Sequence, residues 1–446
     1  LTTMNKIYYR NVVAALVMLV GTLGLQSCLK EQADVFDKSS SLREEEYMDK
    51  AQATLINAPY GWAFDIYPKS DQAYGGYAFT LKFDKEKCEV RSVIDASRAD
   101  VSYYKMTAEV GPAISFDTYN PLMHHFSNPS QQSYQALEGD FLFVVDSISD
   151  NLIKVHGYRS KNVMYLRKLD MPAETYINKV DSFSSAFTPT GLWSFKGNVN
   201  GAEVEAELDA SDLQLAFTSG GKTTNTAITF TDKGIRTYSP LQVGNTTINE
   251  LTFNAADSTF TAKTGNEGQV KFKAAQPQWF AKYVANAGEY VLEANYISGG
   301  VSYPVEIDVE LELMPNYKGY LIKNAIKDLA IRTTFDRKEH VITVAPQSLT
   351  PLSGSTALYL CTYDMESGYL SPSPKSQFAL RWNDADKAFV FEQRGTWDKP
   401  STGWFLAVLD SRGGFKGSVK QNGLPNTYYF SRAYEKLDQL LRLRKD

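Results

Sequence analysis

The sequence predicts a mainly β protein: several antiparallel β-sandwich or small-barrel modules, short helices between them, and a helix at the C-terminus. Three observations carry that prediction. Tyr and Phe, at 27 and 24, far outnumber the 9 Met, a composition that favours strands. Long stretches alternate apolar and polar residues with a period of two, the pattern of a strand with one buried face. No stretch alternates strand-like and helix-like segments as a parallel, doubly wound sheet requires. At about 150 residues per domain, the chain has room for two to four domains. Its hydrophobic share of 43% excludes a mostly disordered chain, and its net charge of −5 argues against a nucleic-acid partner.

The first element is a leader. Lys6 and Arg10 precede an uncharged run, VVAALVMLVGTLGL, from Val12 to Leu25. Membrane-spanning helices need about 20 apolar residues, so this shorter run suits the core of a signal peptide. It ends in Leu25-Gln26-Ser27-Cys28, which resembles the lipobox of bacterial lipoproteins. There a diacylglyceryl group is attached to the Cys thiol and the leader is cut just before it. Residues 1–27 are therefore read as a lipoprotein signal, Cys28 as the lipidation site, and 28–41 as a polar tether. The competing readings are an ordinary secretory signal with a chance Cys and an uncleaved anchor. Removing the leader takes away two cations and no acid, which makes the remaining chain more acidic.

Three modules follow, each announced by a helix. Ser41 and Glu44 form a capping-box pair, and Met48, Ala51 and Leu55 repeat at helical spacing, predicting a helix over 42–56 that opens the module 42–170. Pro172 with Tyr176, Val180 and Phe183 predicts a second helix, opening 171–276. Pro277 with Phe280, Tyr283 and Val284 predicts a third, opening 277–446. Tyr77, Phe79, Leu81 and Phe83 alternate with polar or small residues, turn through Asp84–Lys87, and return from Cys88. From Val301 to Leu313 the alternation is unbroken, with Glu306, Asp308, Glu310 and Glu312 on the wet face. Gly220-Gly221, Gly299-Gly300, Asp257-Ser258 and Asn383-Asp384 read as hairpin turns. Tyr434, Leu437, Leu440 and Leu441 share one face of a predicted closing helix over 431–443, with Arg442, Arg444 and Lys445 at its negative end.

Several motifs in order carry a family resemblance. They are GWAFDIYP from Gly61, GGYAFTLKFD from Gly75, GPAISFDTYNPLMHHFSNP from Gly111, GDFLFVV from Gly139 and FTDKGIRTYSPLQVGNTTINELTF from Phe230. Together with the CLKEQADVFDKS tether they resemble a Bacteroidota outer-membrane lipoprotein family known only as domain of unknown function 4302. The resemblance implies an outer-membrane surface lipoprotein, often encoded beside starch-utilisation-type importers. It implies no activity and no catalytic residue. A periplasm-facing anchor is the alternative placement.

Candidate site residues are few. His124 and His125 are weak metal candidates, because neighbours on a strand point to opposite faces and a structural metal needs a wider ligand set. No HExxH, GxSxG, P-loop or dinucleotide-binding glycine motif is present, and no residue set calls for a cofactor. Trp397, Trp404 and Tyr369 lie in Gly/Pro/Thr-rich stretches, where exposed rings form platforms for sugar or peptide. The same residues can instead plug the end of a sandwich. Phe116, Tyr119, Phe126 and Tyr363 carry the same two readings. Cys88 and Cys361 read as buried free thiols. Two function classes remain: a lipid-anchored accessory or binding protein that captures a glycan, peptide or metal complex for an importer, which is favoured, and a surface hydrolase with unrecognised carboxylates.

Overall fold

The computed structural model describes residues 39–129, 136–264 and 268–445. The leader, Cys28 and most of the tether lie outside the described residues. No helix among the described residues is long and apolar enough to cross a membrane.

Helix α1 (Ser40–Ile56) buries Ala51 and Leu55. Its N-cap is Ser39, whose hydroxyl accepts from the Leu42 amide, so the cap stands two residues before the Ser41 of the expected box. Nine antiparallel strands follow. The first, Trp62–Ile66, lies inside the sheet and pairs on one side with Tyr77–Phe83 and on the other with Val163–Lys168, the last of the nine in the chain and the central one in the sheet. Trp62, Phe64 and Ile66 face one core, while Ala63 turns to the opposite face, under helix α2 (Ala173–Phe187). Gly61 allows the entry into this strand: its φ is +81°, and a Cβ there would lie 2.6 Å from the Leu81 carbonyl.

Eight strands, from Ser194–Val199 to Gly268–Ala275, each pair with the next, and the last pairs with the first, closing a barrel. Phe195, Leu208, Leu215, Ile235, Leu251, Phe260 and Phe272 fill its core, the expected outcome for an eight-stranded closure. Helix α3 (Gln278–Ala285) packs Trp279, tilted, and Phe280, edge to face, against Trp193 of the barrel end.

The remaining strands form a nine-stranded sheet facing a six-stranded one. In the long strand Val301–Leu313, Val305, Ile307, Val309 and Leu311 are buried, but Val301 and Tyr303 are exposed. Their hairpin end lacks core to cover it.

The expected C-terminal helix is a strand. Gln439–Lys445 inserts between Gly288–Ser298 and Ala388–Gly395. A bulge there pairs Glu293 with Arg442 but Ala294 with Leu440, skipping Leu441. Leu440 and Leu443 therefore both turn inward three residues apart, which imitates helical spacing. Arg442 and Arg444 bind Glu293 of the neighbouring strand, at 2.7 and 2.6 Å, instead of a helix end.

Candidate functional site

The first sheet and the barrel meet along a charged seam. In the strand Trp62–Ile66 every residue is buried, and the face opposite Trp62, Phe64 and Ile66 carries Ala63 and Asp65. Arg167 stands across from Ala63, on the same face as Asp65, and Tyr165 follows two residues away. The barrel strand Gly234–Val243 turns Ile235 into its own core and presents Arg236 and Tyr238 to the seam. Backbone and side-chain bonds fix the two walls together: Gly76 N–H to the Ile228 carbonyl at 2.9 Å, and Val163 N–H to the Tyr238 hydroxyl at 3.2 Å. Gly76 has no side chain because Tyr67 lies flat against it, a Cβ there being 2.4 Å from the ring.

Between these walls is a cavity of about 400 Å³, lined by Asp65, Tyr67, Tyr165, Arg167, Arg236 and Tyr238 among others. Asp65 is only 3% exposed. Its Oδ2 accepts from Arg236 Nη1 at 2.5 Å and from Arg167 Nη1 at 3.3 Å. Its Oδ1 is buried with no hydrogen-bond partner. An unmet carboxylate oxygen in a dry place is costly, so it marks a position where a donor belongs. Arg236 also reaches Glu250, its cross-strand neighbour, at 3.5 Å. Arg167 commits only Nη1, to Asp65 and to the Tyr165 carbonyl at 3.4 Å.

Burial works against the Arg236 charge, but Asp65 and Glu250 more than offset it and hold the guanidinium protonated. For Arg167 the balance differs: burial and the neighbouring Arg236 charge outweigh the help from Asp65 and lower its pKa. Burial, followed by the Asp65 charge, pushes the Tyr67 phenol well above its ordinary value. Tyr67 and Tyr238 meet edge to face at 4.9 Å. A ligand in this cavity would find unused guanidinium N–H donors of Arg167 and three tyrosine rings, while Asp65 Oδ1 itself is enclosed. A larger hollow of about 500 Å³, between α2 and Tyr317, carries no charged side chain.

The residues singled out from sequence lie elsewhere. Trp404 is in the strand Gly403–Asp410, 1% exposed, packed by Phe378, Phe391 and Phe430. It is a core residue and cannot serve as a platform. Tyr363 is likewise buried, against Phe405. Tyr369 is 59% exposed on a turn, and the Lys399 ammonium sits 4.3 Å from its ring centre. Trp397 is half-buried on the loop that carries Lys399, so these two rings belong to neighbouring loops while Trp404 does not join them. His124 is buried, bonded through Nδ1 to Asn120 and stacked on Phe141 at 5.1 Å; His125 turns outward against Phe126. Among the described residues no three His, Cys, Asp or Glu side chains gather into a metal-holding group. Phe116 and Phe126 are buried, and Tyr119 is exposed. Cys88 and Cys361 are free and buried; burial raises both thiols, that of Cys361 to about 12.

The Asp65 seam was missed, although a signal for it exists. An acid inside WAFDI, in an otherwise apolar strand, must be paired, and R-x-Y and Y-x-R in two other strands put complementary groups on single faces.

The model of a family described as Domain of unknown function (DUF4302) matches residues 32–255, half of the chain. A second model, described as a domain of unknown function (DUF4987), matches residues 263–399. Both walls of the Asp65 cavity fall inside the first match. No curated protein matches the chain. Among solved structures, the beta clamp of Helicobacter pylori in complex with 3,4-difluorobenzamide is 9% identical over 78% of this chain and 94% of that chain. Its TM-score of 0.10 is too low to bear on the fold. The match to half of the chain shows that it belongs to the DUF4302 family.

Proposed function

We propose that this DUF4302 family member is a lipid-anchored cell-surface binding protein that captures a hydroxyl-rich nutrient, a glycan above all, for an outer-membrane importer. The carrying observation is the cluster at the cavity wall: the buried Asp65 carboxylate holds two arginines, and Arg167 keeps guanidinium N–H donors unused. Carboxylate and guanidinium groups pair with sugar hydroxyls, and the tyrosine rings offer apolar contact to sugar faces. The lipobox at Cys28 and the acidic tether supply the anchor and the outward placement.

A hydrolase of the two-carboxylate kind needs one carboxyl held protonated near neutral pH. Among the residues that line this cavity Asp65 is the one carboxylate, so no catalytic pair is assembled there. This supports binding over catalysis.

The test is a glycan and peptide array probed with the full chain and with Arg167→Ala. A glycan hit that weakens roughly tenfold or more in the variant, with melting unchanged, is the expected result. Arg167 suits the experiment because Asp65 keeps Arg236 when it is removed. A hit indifferent to Arg167 removes the ligand from this cavity, and release of shortened glycan would favour the hydrolase. Labelled palmitate entering the wild type but not Cys28→Ala checks the anchor.

A further inference from the structure

We propose a second ligand site, at Trp382, that takes a sugar ring bearing a carboxylate, as in a uronate-containing oligosaccharide. It occupies a separate cavity and stands whether or not the Asp65 seam binds anything.

Trp382 lies on the strand Ser376–Asn383, directly across from Phe389. Two contacts hold the indole. Its ring meets Phe389 at 5.1 Å with planes at 69°, and its Nε1–H donates to Asp384 Oδ1 at 3.0 Å. Those contacts fix the ring while 37% of the residue remains exposed. A braced, open indole is a preorganised stacking surface, because little side-chain freedom is left to lose on binding.

The ring borders a cavity of about 410 Å³ whose inner wall includes Tyr290 and Phe389, both buried. Lys282 of α3, Lys445 of the terminal strand and His340 complete its rim. Lys282 Nζ lies 3.1 Å from His340 Nδ1, within hydrogen-bonding distance of the ring. Among the described residues neither Lys282 nor Lys445 forms an ion pair; Lys445 reaches only the Ala285 carbonyl, at 3.4 Å. The one acid on the rim, Asp384, is engaged by the indole N–H and lies 3.9 Å from Lys387. The cavity therefore joins an open aromatic face to two ammonium groups that form no ion pair among the described residues.

That combination selects the ligand class. A neutral sugar would use the indole and leave both ammonium groups unanswered. A small anion such as phosphate would use the ammonium groups and gain nothing from the ring. A uronate satisfies both at once: its C–H face stacks on Trp382, its carboxylate meets Lys282 and Lys445, and its hydroxyls reach Asp384 and Asn286.

Calorimetric titration of the full chain with oligogalacturonate and oligoglucuronate, against cello-oligosaccharide of equal length, tests this. At least one uronate is expected to bind roughly tenfold or more tightly than the neutral sugar, with affinity falling as salt rises. Trp382→Ala and the pair Lys282→Ala/Lys445→Ala are each expected to weaken it by roughly tenfold or more, with unchanged melting because all three side chains reach solvent. The Arg167→Ala variant should bind the uronate as the wild type does, which separates this site from the first. Equal binding of the neutral sugar that is lost in Trp382→Ala overturns the charge argument. Binding indifferent to Trp382, binding of inorganic phosphate with the same affinity, or no binding of either uronate overturns the site.

Discussion

The seam around Asp65 and the interior around Trp404 are built by the same means and have opposite character. Each is assembled from one face of antiparallel strands meeting a second sheet. Around Trp404 the indole is enclosed by Phe378, Phe391 and Phe430, and its polar cross-strand neighbour Thr362 is satisfied by the Ser376 carbonyl at 2.9 Å. Around Asp65 the inward positions are an acid, two arginines and three tyrosines, and about 400 Å³ stays open. Long charged side chains held by one another cannot interdigitate as Leu and Phe do, so a charged seam leaves space where an apolar one closes it. The difference teaches that burial alone does not separate framework from site. A buried charge beside open space does.

The comparison breaks most visibly at Trp404. Trp404→Ala is expected to cost about 3–5 kcal/mol, read as a large drop in melting temperature, because no neighbour can fill the space. Ligand binding by the folded fraction should be unchanged. A mild effect on melting would mean that this interior is not filled as described.

Asp65→Ala is next, at about 3 kcal/mol, the lower end for breaking a buried pair because Glu250 still partly answers Arg236. Adding Arg236→Leu to Asp65→Leu should recover part of that loss, since the uncompensated charge goes with it. Denaturant unfolding of single and double variants measures the recovery. If the double variant is as unstable as the sum of the singles, the charges are not coupled and the seam is ordinary packing.

Tyr369→Ala marks the small end. Its ring is mostly exposed and touches a lysine of the same chain, so the change should fall within about 0.5 kcal/mol in the same unfolding assay. A larger loss would show that the loop bearing Trp397 leans on it.

Much of the framework was legible because it rests on periodicity. Helices α1, α2 and α3 follow from capping residues, prolines and helical spacing, and the strand near Phe79 follows from its alternation. Two misreadings have local physical causes. The terminal segment carries apolar residues at helical spacing because a bulge at Leu441 restores the inward face out of turn. Trp404 follows Gly403 in a loop-like composition, yet that glycine marks close packing: a Cβ there would lie 1.9 Å from the Leu437 carbonyl. The Asp65 seam is long-range, with 171 residues between Asp65 and Arg236, and nothing local couples them. A single acid in an apolar strand, with Y-x-R and R-x-Y in two others, was its trace.

The central claim, that the Asp65 cavity holds a ligand, is tested most directly by a crystal structure of the chain with the glycan selected on the array. The account predicts a ligand oxygen within about 3.2 Å of an Arg167 guanidinium nitrogen, with a tyrosine ring in contact. A glycan bound elsewhere, with only water at Arg167, would contradict it.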